Sequence, residues 1–452
     1  MKLAPGIFRE YDIRGIADRD LSDDTVYALG RAMGTMARRT GGRRMTLGRD
    51  CRLSSPRITE ALKQALRDTG LDVVDVGLVP TPLLYYSVHR LETAGGIMVT
   101  GSHNPQEHNG FKICIGKSTI FGSDIQRIRQ LAEARDFESG QGALANTDVV
   151  QDYIEHVTSN IRHPLGLKIA VDSGNGMAGP VAPRLYRALG CEVTELYSEP
   201  DGSFPNHHPD PTVPENLAAL RKAISGAGAV FGIAFDGDAD RIGVVDRSGR
   251  ILYGDELLVI YARDVLAEHP GAAIISEVKA SHRLFQDIAH HGGRPIMWKT
   301  GHSLIKAKMR EEASPLAGEM SGHMFFADRY YGFDDAIYAG ARLLEIVAKH
   351  RKTPAELIAD LPPSFTTPEI RVDCPDDRKF WVVEQAKLLL ERQGHRVNGI
   401  DGARVEFADG WGLVRASNTQ PVLVFRFEGS SAARLAEIRV IVESAVAGFL
   451  KR

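Results

Sequence analysis

Cysteine is scarce in this sequence, and the few that occur are far apart. Among 452 residues there are four, Cys51, Cys114, Cys191 and Cys374, and no two are spaced as C-x-x-C. Disulfide frameworks and cysteine-ligated zinc sites need closely spaced or numerous cysteines. The scarcity argues against both, and a reducing, cytoplasmic setting is expected.

Long apolar runs and an excess of one charge are also missing. The chain has 55 basic and 58 acidic residues, without a long run of either sign. The sequence therefore lacks the clustered basic residues with which proteins bind nucleic acid or an anionic membrane. No stretch approaches the roughly 18 apolar residues of a membrane span, and MKLAPGIFREYDIRG at the start has no apolar signal core. We expect small-molecule partners, with no nucleic acid or membrane partner, and a monomer.

A weak internal repeat organises most of the chain. Segments 45–77, 167–197 and 272–301 each read as a short apolar strand, a polar turn, an amphipathic helix, a glycine and a second strand. This order is typical of the βαβ unit of a mostly parallel sheet. From about residue 363 consecutive strands lie between helices, which indicates an α+β domain. We predict three similar α/β domains over residues 1–148, 149–250 and 251–362, and a smaller α+β domain over 363–452.

Three carboxylates follow an apolar run in FGIAFDGDADRIG, residues 231–243. Asp236, Asp238 and Asp240 alternate, so an extended segment or a curled loop brings them to one spot. Oxygen-only ligands suit Mg²⁺ or Ca²⁺. An EF-hand loop does not fit, because Arg241 and Arg247 occupy the positions of its glycine and its glutamate. The cluster predicts a divalent-cation site that leaves a coordination position for a phosphate.

A serine lies on a turn in GGIMVTGSHNPQEHNGFKI, residues 95–113. Gly101 permits an unusual backbone and Pro105 prevents a helix, so Ser102 is placed at the tip of the turn. The G-x-S-x-G elbow does not fit, since Thr100 and Asn104 replace its glycines. The other interpretation is an ordinary polar turn. If Ser102 carries a phosphoryl group, the cation held by the carboxylates is suited to neutralise its charge.

Further polar turns offer groups for sugar and phosphate. LAGEMSGHMFF (316–326) places Glu319, Ser321 and His323 where they suit vicinal sugar hydroxyls. His302 in WKTGHSLIK is equally well explained as a ligand contact or as a helix cap. VRASNTQPVLVF (414–425) is either a polar hairpin turn or a phosphate cradle; the cradle residues are Arg415, Ser417, Asn418 and Thr419.

Two motifs keep open alternatives. REYDIRG places Tyr11 and Arg14 near the N-terminus, where Arg14 either holds a phosphoserine or is a surface charge. Gly174, Gly176 and Gly179 in VDSGNGMAG match G-x-G-x-x-G, the dinucleotide fingerprint, so a dinucleotide-dependent oxidoreductase is an alternative. We interpret this motif mainly as a tight packing turn, because the motif alone is weak and the later acidic residue is poorly placed.

The motifs TGSHNP, DGDADR, GEMSGH and RASNTQP occur in this order, one in each expected domain. In this respect the chain resembles the α-D-phosphohexomutases, specifically the bacterial phosphomannomutase/phosphoglucomutase group, over nearly its full length. The resemblance implies a heart-shaped enzyme in which three α/β domains and a TATA-binding-protein-like C-terminal domain surround a central cleft. It also implies that the C-terminal domain rotates about a hinge before residue 363.

The resemblance implies a mechanism as well. Phosphorylated Ser102 gives its phosphoryl group to a hexose monophosphate, and a 1,6-bisphosphate then reorients and returns the opposite phosphate, with glucose 1,6-bisphosphate as activator. Mg²⁺ lies between this phosphate and the three carboxylates; Glu319 and Ser321 contact the sugar, and Arg415 to Thr419 the distal phosphate. Supporting cleft residues by this resemblance are Tyr11, Arg14, His103, Lys112, Arg241, Lys279, His302 and His323. Lys112, His103 and His323 are unranked candidates for the general base.

Three alternatives to a glucose and mannose phosphate mutase remain open. GEMSGH looks like the glucose/mannose form, whereas phosphoglucosamine mutases usually carry a different residue at the position of Met320. A catalytically inactive sugar-phosphate-binding protein is the second alternative, although none of the motifs is broken. The dinucleotide-dependent oxidoreductase is the third.

Overall fold

Four β-sheets organise the chain in the computed structural model, which describes residues 3–163, 166–418 and 420–450. We call the units built on these sheets domains 1 to 4 in chain order. The boundaries expected at residues 148, 250 and 362 stay predictions. No helix in the described ranges is long and apolar enough to cross a membrane.

Domain 1 contains a mixed sheet with the order β1-β5-β4-β2-β3-β7, and β6 pairs with β5. Its strands are β1 Ile13–Ile16, β2 Arg44–Arg49, β3 Asp72–Leu78, β4 Gly95–Val99, β5 His108–Ile115, β6 Ser118–Thr119 and β7 Leu144–Asn146. The helices up to domain 2 are α1 Ala17–Asp20, α2 Asp23–Arg39, α3 Ser55–Arg67, α4 Thr81–Arg90, α5 Ser123–Ala134 and α6 Val150–Asn160. Strands β2 and β3 are parallel and flank α3, which confirms the βαβ unit predicted over 45–77.

Domains 2 and 3 repeat this arrangement around smaller sheets. Domain 2 has β8 Lys168–Asp172, α7 Ala182–Ala188, β9 Glu192–Leu196, α8 Ala218–Ala227, β10 Phe231–Phe235, β11 Ile242–Asp246 and β12 Ile251–Leu252. Domain 3 has α9 Gly254–Glu268, β13 Ala273–Glu277, α10 His282–His290, β14 Arg294–Trp298, α11 His302–Glu312, β15 Leu316–Gly318, β16 Met324–Phe326, α12 Ala336–His350 and α13 Pro354–Leu357. The pairs β8/β9 and β13/β14 are parallel, so the other two predicted βαβ units are also confirmed.

Domain 4 is an antiparallel sheet covered by two helices, as the change of pattern after residue 363 predicts. Its elements are β17 Phe365–Thr366, β18 Ile370–Asp373, α14 Lys379–Arg392, β19 Arg396–Asn398, β20 Ala403–Phe407, β21 Gly410–Ala416, β22 Val422–Gly429 and α15 Ala432–Leu450. Helices α14 and α15 pack against each other and against β21. Two short 3-10 helices, Pro5–Ile7 and Pro214–Leu217, complete the regular structure of the described residues.

The apolar cores divide the chain unequally. One core cluster combines side chains of domains 1, 2 and 3, including Tyr86 and Tyr153, whose rings lie 5.4 Å apart. Domain 4 has a core of its own. It meets domain 3 through a small buried apolar cluster of Val278, Trp411 and Leu413, and through Arg404, which donates to the carbonyl of Ala280 at 2.9 Å. Shared apolar burial makes domains 1 to 3 one packed body, while the rotation of domain 4 stays a prediction.

Candidate active site

The serine turn follows β4, at the edge where the strands of domain 1 end. Ser102 is 3% exposed and has a φ of +48°, a left-handed conformation that is uncommon for a residue with a side chain. Buried Arg52 holds the turn, because its guanidinium donates to the carbonyls of Ser102 at 2.7 Å and Asn104 at 2.6 Å. Sequence reasoning missed Arg52, although its place in the polar turn after β2 is where loop residues of such a sheet meet.

The three carboxylates lie in a curled turn between β10 and β11, one of the two geometries expected to bring them together. The Asp236 carboxylate accepts from the backbone N–H groups of Asp240 and Arg241, both at 3.2 Å, and this closes the turn. Asp236, Asp238 and Asp240 are fully buried, and one oxygen from each lies within 4.8 Å of the others. Strands β10 and β11 are buried along their whole length, as predicted, so the cluster lies at a core edge.

The serine and the carboxylates meet across the boundary between domains 1 and 2. The Ser102 hydroxyl donates to Asp236 at 2.8 Å. Lys112, a buried residue of β5, donates to Asp238 at 2.6 Å and also to Asp240. Burial lowers the pKa of Lys112, but the Asp238 and Asp240 charges outweigh this and raise it above its ordinary value. The ammonium is therefore a fixed positive charge beside the cluster.

The carboxylate cluster fits a divalent cation. In the described part of the chain, the second oxygens of buried Asp238 and Asp240 have no hydrogen-bond partner. Burial, followed by the charges of Asp238 and Asp240, raises the pKa of Asp236. The shift is a consequence of the repulsion between the three carboxylates. A hard cation relieves that repulsion and satisfies the free oxygens, and oxygen ligands are those that Mg²⁺ and Ca²⁺ prefer.

His103 and Arg14 lie beside the serine. His103 Nδ1 is 3.0 Å from the Ser102 hydroxyl oxygen. Burial, followed by the charges of Arg241 and Arg14, lowers the pKa of His103 well below its usual value. Arg14, a residue of β1, forms an ion pair at 2.5 Å with Asp12, which immediately precedes that strand. A role of Arg14 toward a phosphorylated serine stays a prediction.

His323 is held from two sides in domain 3. Its Nε2 accepts from Arg241 Nε at 3.0 Å, so Nδ1 carries the proton in the neutral ring. Nδ1 lies 3.2 Å from Asp334 and 3.7 Å from Asp240. Sequence reasoning missed Asp334, because the adjacent acidic pair before α12 is explained equally well by a helix cap, and Asp335 is that cap.

His302 begins α11 and lies between Tyr11 and His323. Its ring centroid is 5.9 Å from that of Tyr11 and 5.6 Å from that of His323. Burial lowers its pKa well below the usual value. His302 therefore lies among the buried side chains of the candidate site. It does not cap α11, because the N-cap residue of that helix is Gly301.

Glu319 and Ser321, which are expected to contact a sugar, lie in the turn between β15 and β16. Glu319 is 3% exposed, and one of its oxygens has no hydrogen-bond partner among the described residues. Burial raises the pKa of Glu319. Ser321 is half-buried in the same turn. A buried acceptor without a partner fits a ligand hydroxyl, since buried polar atoms are nearly always paired.

Lys279 and the turn after β21 supply positive charge. Lys279 pairs with Glu369, which lies between β17 and β18 of domain 4, at 3.1 Å, and Arg415 pairs with Asp401 at 3.0 Å. Asn418 donates to the Tyr11 hydroxyl at 2.5 Å, and the Ser417 hydroxyl accepts from the N–H of Gln420 at 3.1 Å. The remaining predicted residue of this turn, Thr419, lies outside the described residues.

Side chains of all four domains therefore form one continuous set of contacts. The links are Ser102–Asp236, Lys112–Asp240, Asp240–His323, His323–His302, His302–Tyr11 and Tyr11–Asn418. The resemblance to the α-D-phosphohexomutases implied that motifs of all four domains meet in this way.

The glycine motif of β8 is a packing turn. The N–H of Asn175 donates to the Tyr197 carbonyl and that of Met177 to the Gly237 carbonyl, both at 2.9 Å. Gly176 donates to the Ser173 carbonyl at 2.7 Å. A dinucleotide fingerprint needs these N–H groups for a pyrophosphate. The turn instead supports the carboxylate loop, which contains Gly237.

The fold and this site define a class: a four-domain α/β protein in which a serine turn meets a buried cluster of carboxylates. Residues 5–139, 151–249 and 253–365 match the family models for the phosphoglucomutase/phosphomannomutase α/β/α domains I, II and III, and residues 369–445 match that for the C-terminal domain. The chain belongs to this family, within the α-D-phosphohexomutases. Its membership overturns the oxidoreductase alternative.

Individual relatives cover almost the whole chain. A Pseudomonas putida protein named phosphomannomutase/phosphoglucomutase is 48% identical over 437 residues, 97% of this chain and 94% of that protein. A Neisseria gonorrhoeae phosphoglucomutase is 45% identical over 97% of both chains. The crystal structure of a phosphoglucomutase/phosphomannomutase family protein from Burkholderia thailandensis has a TM-score of 0.93, 44% identity and 99% coverage of each chain.

Proposed function

We propose that this enzyme interconverts hexose 1-phosphates and hexose 6-phosphates, with glucose and mannose phosphates as substrates. The observation that carries the proposal is the buried contact of the Ser102 hydroxyl with Asp236, at 2.8 Å, within an oxygen-only cluster. Relatives at 45–48% identity, named phosphoglucomutase or phosphomannomutase/phosphoglucomutase, support it and favour these sugars over glucosamine phosphate.

The transfer proceeds through phosphorylated Ser102. The hydroxyl of a hexose monophosphate attacks the phosphorus, the bond from phosphorus to the Ser102 oxygen breaks, and the sugar hydroxyl proton passes to a base of the enzyme. The resulting 1,6-bisphosphate turns over in the cleft, and its other phosphate returns to Ser102 by the reverse step. Catalysis of this kind is mostly positioning and charge neutralisation. Glucose 1,6-bisphosphate acts as activator because it rephosphorylates Ser102.

Asp236, Asp238 and Asp240 are the residues that would hold Mg²⁺. A bound ion would supply charge neutralisation for the transferring group. Lys112 adds a fixed ammonium to this environment and is not the base, because two carboxylates hold its proton. His103, 3.0 Å from the serine oxygen, is placed to exchange a proton with that oxygen, and His323 is the candidate for the sugar hydroxyl.

Recognition of the sugar requires contacts that tolerate both orientations of the intermediate. The unpartnered oxygen of Glu319 and the Ser321 hydroxyl suit neighbouring sugar hydroxyls, while Arg415, Ser417, Asn418 and Thr419 hold the distal phosphate. Arg14, Lys279 and His302 complete the charge and shape of the cleft. Glucose and mannose differ only at the 2-hydroxyl, so contacts to the other hydroxyls accept both sugars. We also propose that the protein acts as a cytoplasmic monomer.

Phosphorus NMR of glucose 1-phosphate with the purified protein, Mg²⁺ and a trace of glucose 1,6-bisphosphate tests this function. We expect the glucose 6-phosphate signal to grow, and mannose 1-phosphate to behave alike. Conversion of glucosamine phosphate alone assigns the phosphoglucosamine activity instead. Binding of glucose 1-phosphate without turnover, and without a phosphorylated Ser102, identifies an inactive sugar-phosphate-binding protein.

A further inference from the structure

Thr300, in the loop between β14 and α11, is hydrogen-bonded to both neighbouring domains. Its carbonyl accepts from the Tyr11 hydroxyl of domain 1 at 2.6 Å. Its N–H donates to the Asp401 carboxylate of domain 4 at 2.9 Å. Its own hydroxyl donates to Glu277 of β13 at 3.0 Å, which anchors the loop in domain 3. One residue therefore joins three domains at the cleft.

These contacts close into a ring through the turn after β21. The same oxygen of Asp401 that accepts from Thr300 also accepts from Arg415 Nε, at 3.0 Å. Asn418, three residues after Arg415, donates back to the Tyr11 hydroxyl at 2.5 Å. The ring thus runs from Tyr11 through Thr300, Asp401 and Arg415 to Asn418. It encloses the turn that is assigned to the distal phosphate.

Two glycines allow the ring to close. Gly301 has a φ of +132°, and a Cβ there would lie 2.3 Å from Tyr11 Cζ. Gly402 has a φ of +93°, and a Cβ there would lie 2.6 Å from that of Arg415. Any side chain at either position is both strained and obstructed. The chain is therefore built for the close approach of Thr300 to Tyr11 and of Asp401 to Arg415.

We propose that Asp401 is a positioning residue that orients the Arg415 guanidinium toward the distal phosphate. Through Asp401, binding of the phosphate by Arg415 is coupled to the contact between domains 1, 3 and 4. This rests on the proposed function, in which a bisphosphate intermediate must turn over without escaping. Asp401 fixes the guanidinium fork by accepting from Nε and, at 3.4 Å, from a terminal nitrogen. The remaining donors of the fork stay available for a phosphate. Because Asp401 also holds Thr300, the phosphate and the interdomain contact stabilise each other.

The variant Asp401→Asn tests the proposal through the fraction of the bisphosphate intermediate that escapes from the enzyme before it is converted to glucose 6-phosphate. The phosphorylated enzyme is mixed with one equivalent of glucose 1-phosphate, and free glucose 1,6-bisphosphate and glucose 6-phosphate are quantified by mass spectrometry after rapid filtration. We expect the escaping bisphosphate fraction to rise about tenfold, the order of one charge-assisted hydrogen bond. KM should rise by a similar factor, while kcat with saturating bisphosphate stays within roughly twofold.

The matched control is Asp409→Asn, which breaks an exposed pair of the same kind in domain 4, with Arg434 Nε at 2.9 Å. This variant should release the same fraction of glucose 1,6-bisphosphate as the wild type. Tyr11→Phe removes another link of the ring and should also raise escape, which keeps the test decisive if Asp401→Asn folds poorly. An unchanged partition in Asp401→Asn and Tyr11→Phe, with active wild-type enzyme, overturns this inference alone. A wild-type protein that makes no glucose 6-phosphate overturns the proposed function and this inference with it.

Discussion

Lys112 of β5 donates a hydrogen bond to Asp238 at 2.6 Å, so a lysine of domain 1 supplies charge to the carboxylate turn of domain 2. Both side chains are buried. The Thr81 hydroxyl, also from domain 1, donates to the same carboxylate at 2.5 Å. The acidic loop that is assigned to the metal is therefore held in place by the domain that contains the serine.

Replacing Lys112 by Met should destabilise the protein, because it leaves buried carboxylates without their partner. Breaking a buried ion pair in this way costs about 3–5 kcal/mol. We expect a lower midpoint of thermal unfolding, and a larger recovery on adding Mg²⁺ than in the wild type. Lys168→Met, which removes an exposed pair with Glu192, is the control and should change the midpoint little. Equal midpoints for the Lys112 variant and wild type would contradict the role given to this lysine.

Replacing Ser102 by Ala should reduce turnover by roughly 10⁴-fold, because the group that carries the phosphoryl is lost. Binding of glucose 1-phosphate should persist, since the residues proposed to contact the sugar and the distal phosphate lie in other domains. A coupled assay measures turnover, calorimetry measures binding, and intact mass shows whether the protein carries a phosphoryl group. Ser139→Ala, on an exposed loop, should behave as wild type. Wild-type turnover in Ser102→Ala would remove this serine from the mechanism.

Removing divalent metal with a chelator should abolish turnover, and Mg²⁺ should restore it. Asp238→Asn weakens one ligand of the cluster, so we expect the Mg²⁺ concentration for half-maximal activity to rise about tenfold or more. The measurement is the initial rate across a Mg²⁺ titration after chelator treatment. An activity that survives chelation in the wild type would argue against any metal at this turn.

Asp335, the cap of α12, should make stability depend on pH. Burial raises its pKa to about 6, although Tyr153, Tyr330 and the N–H of Tyr338 donate to it. A raised pKa favours the protonated folded state, so this contribution is complete below the unfolded value near 3.8 and is lost as the pH rises through about 6. Between about pH 4.5 and 7.5 the loss amounts to about 2 kcal/mol.

Asp335→Asn cannot ionise, so its thermal midpoint relative to wild type should increase as the pH rises over this window. The control is Asp148→Asn, since Asp148 is exposed and accepts from the N–H of Val150 at the start of α6. Its difference from wild type should stay flat. A flat difference for Asp335→Asn too would show that this carboxyl titrates in the folded protein as it does in the unfolded chain.

Most turns of the candidate site could be predicted because each is specified by a few consecutive residues. An apolar strand followed by TGSHNP or DGDADR specifies a turn and its chemistry within a few residues, and parallel strands bring such turns to one sheet edge. The sequence left an extended segment and a curled loop open for Asp236 to Asp240, and backbone N–H groups of the same turn curl the segment around Asp236. The interpretation of the glycine motif mainly as a packing turn is confirmed, although two of its N–H partners, the carbonyls of Tyr197 and Gly237, lie in distant segments.

The sequence by itself determined the family, the three βαβ units, the α+β character of the C-terminal domain and the residue types in four polar turns. Only the tertiary structure decided which side chains meet. Arg52 beneath the serine, Lys112 between Asp238 and Asp240, Asp334 beside His323, and Asp401 beneath Arg415 depend on packing between segments. Periodicity and turn chemistry act over a few residues, whereas these pairs form only when separate segments of the chain pack together, between domains 1 and 2 for Lys112 and within one domain for the others.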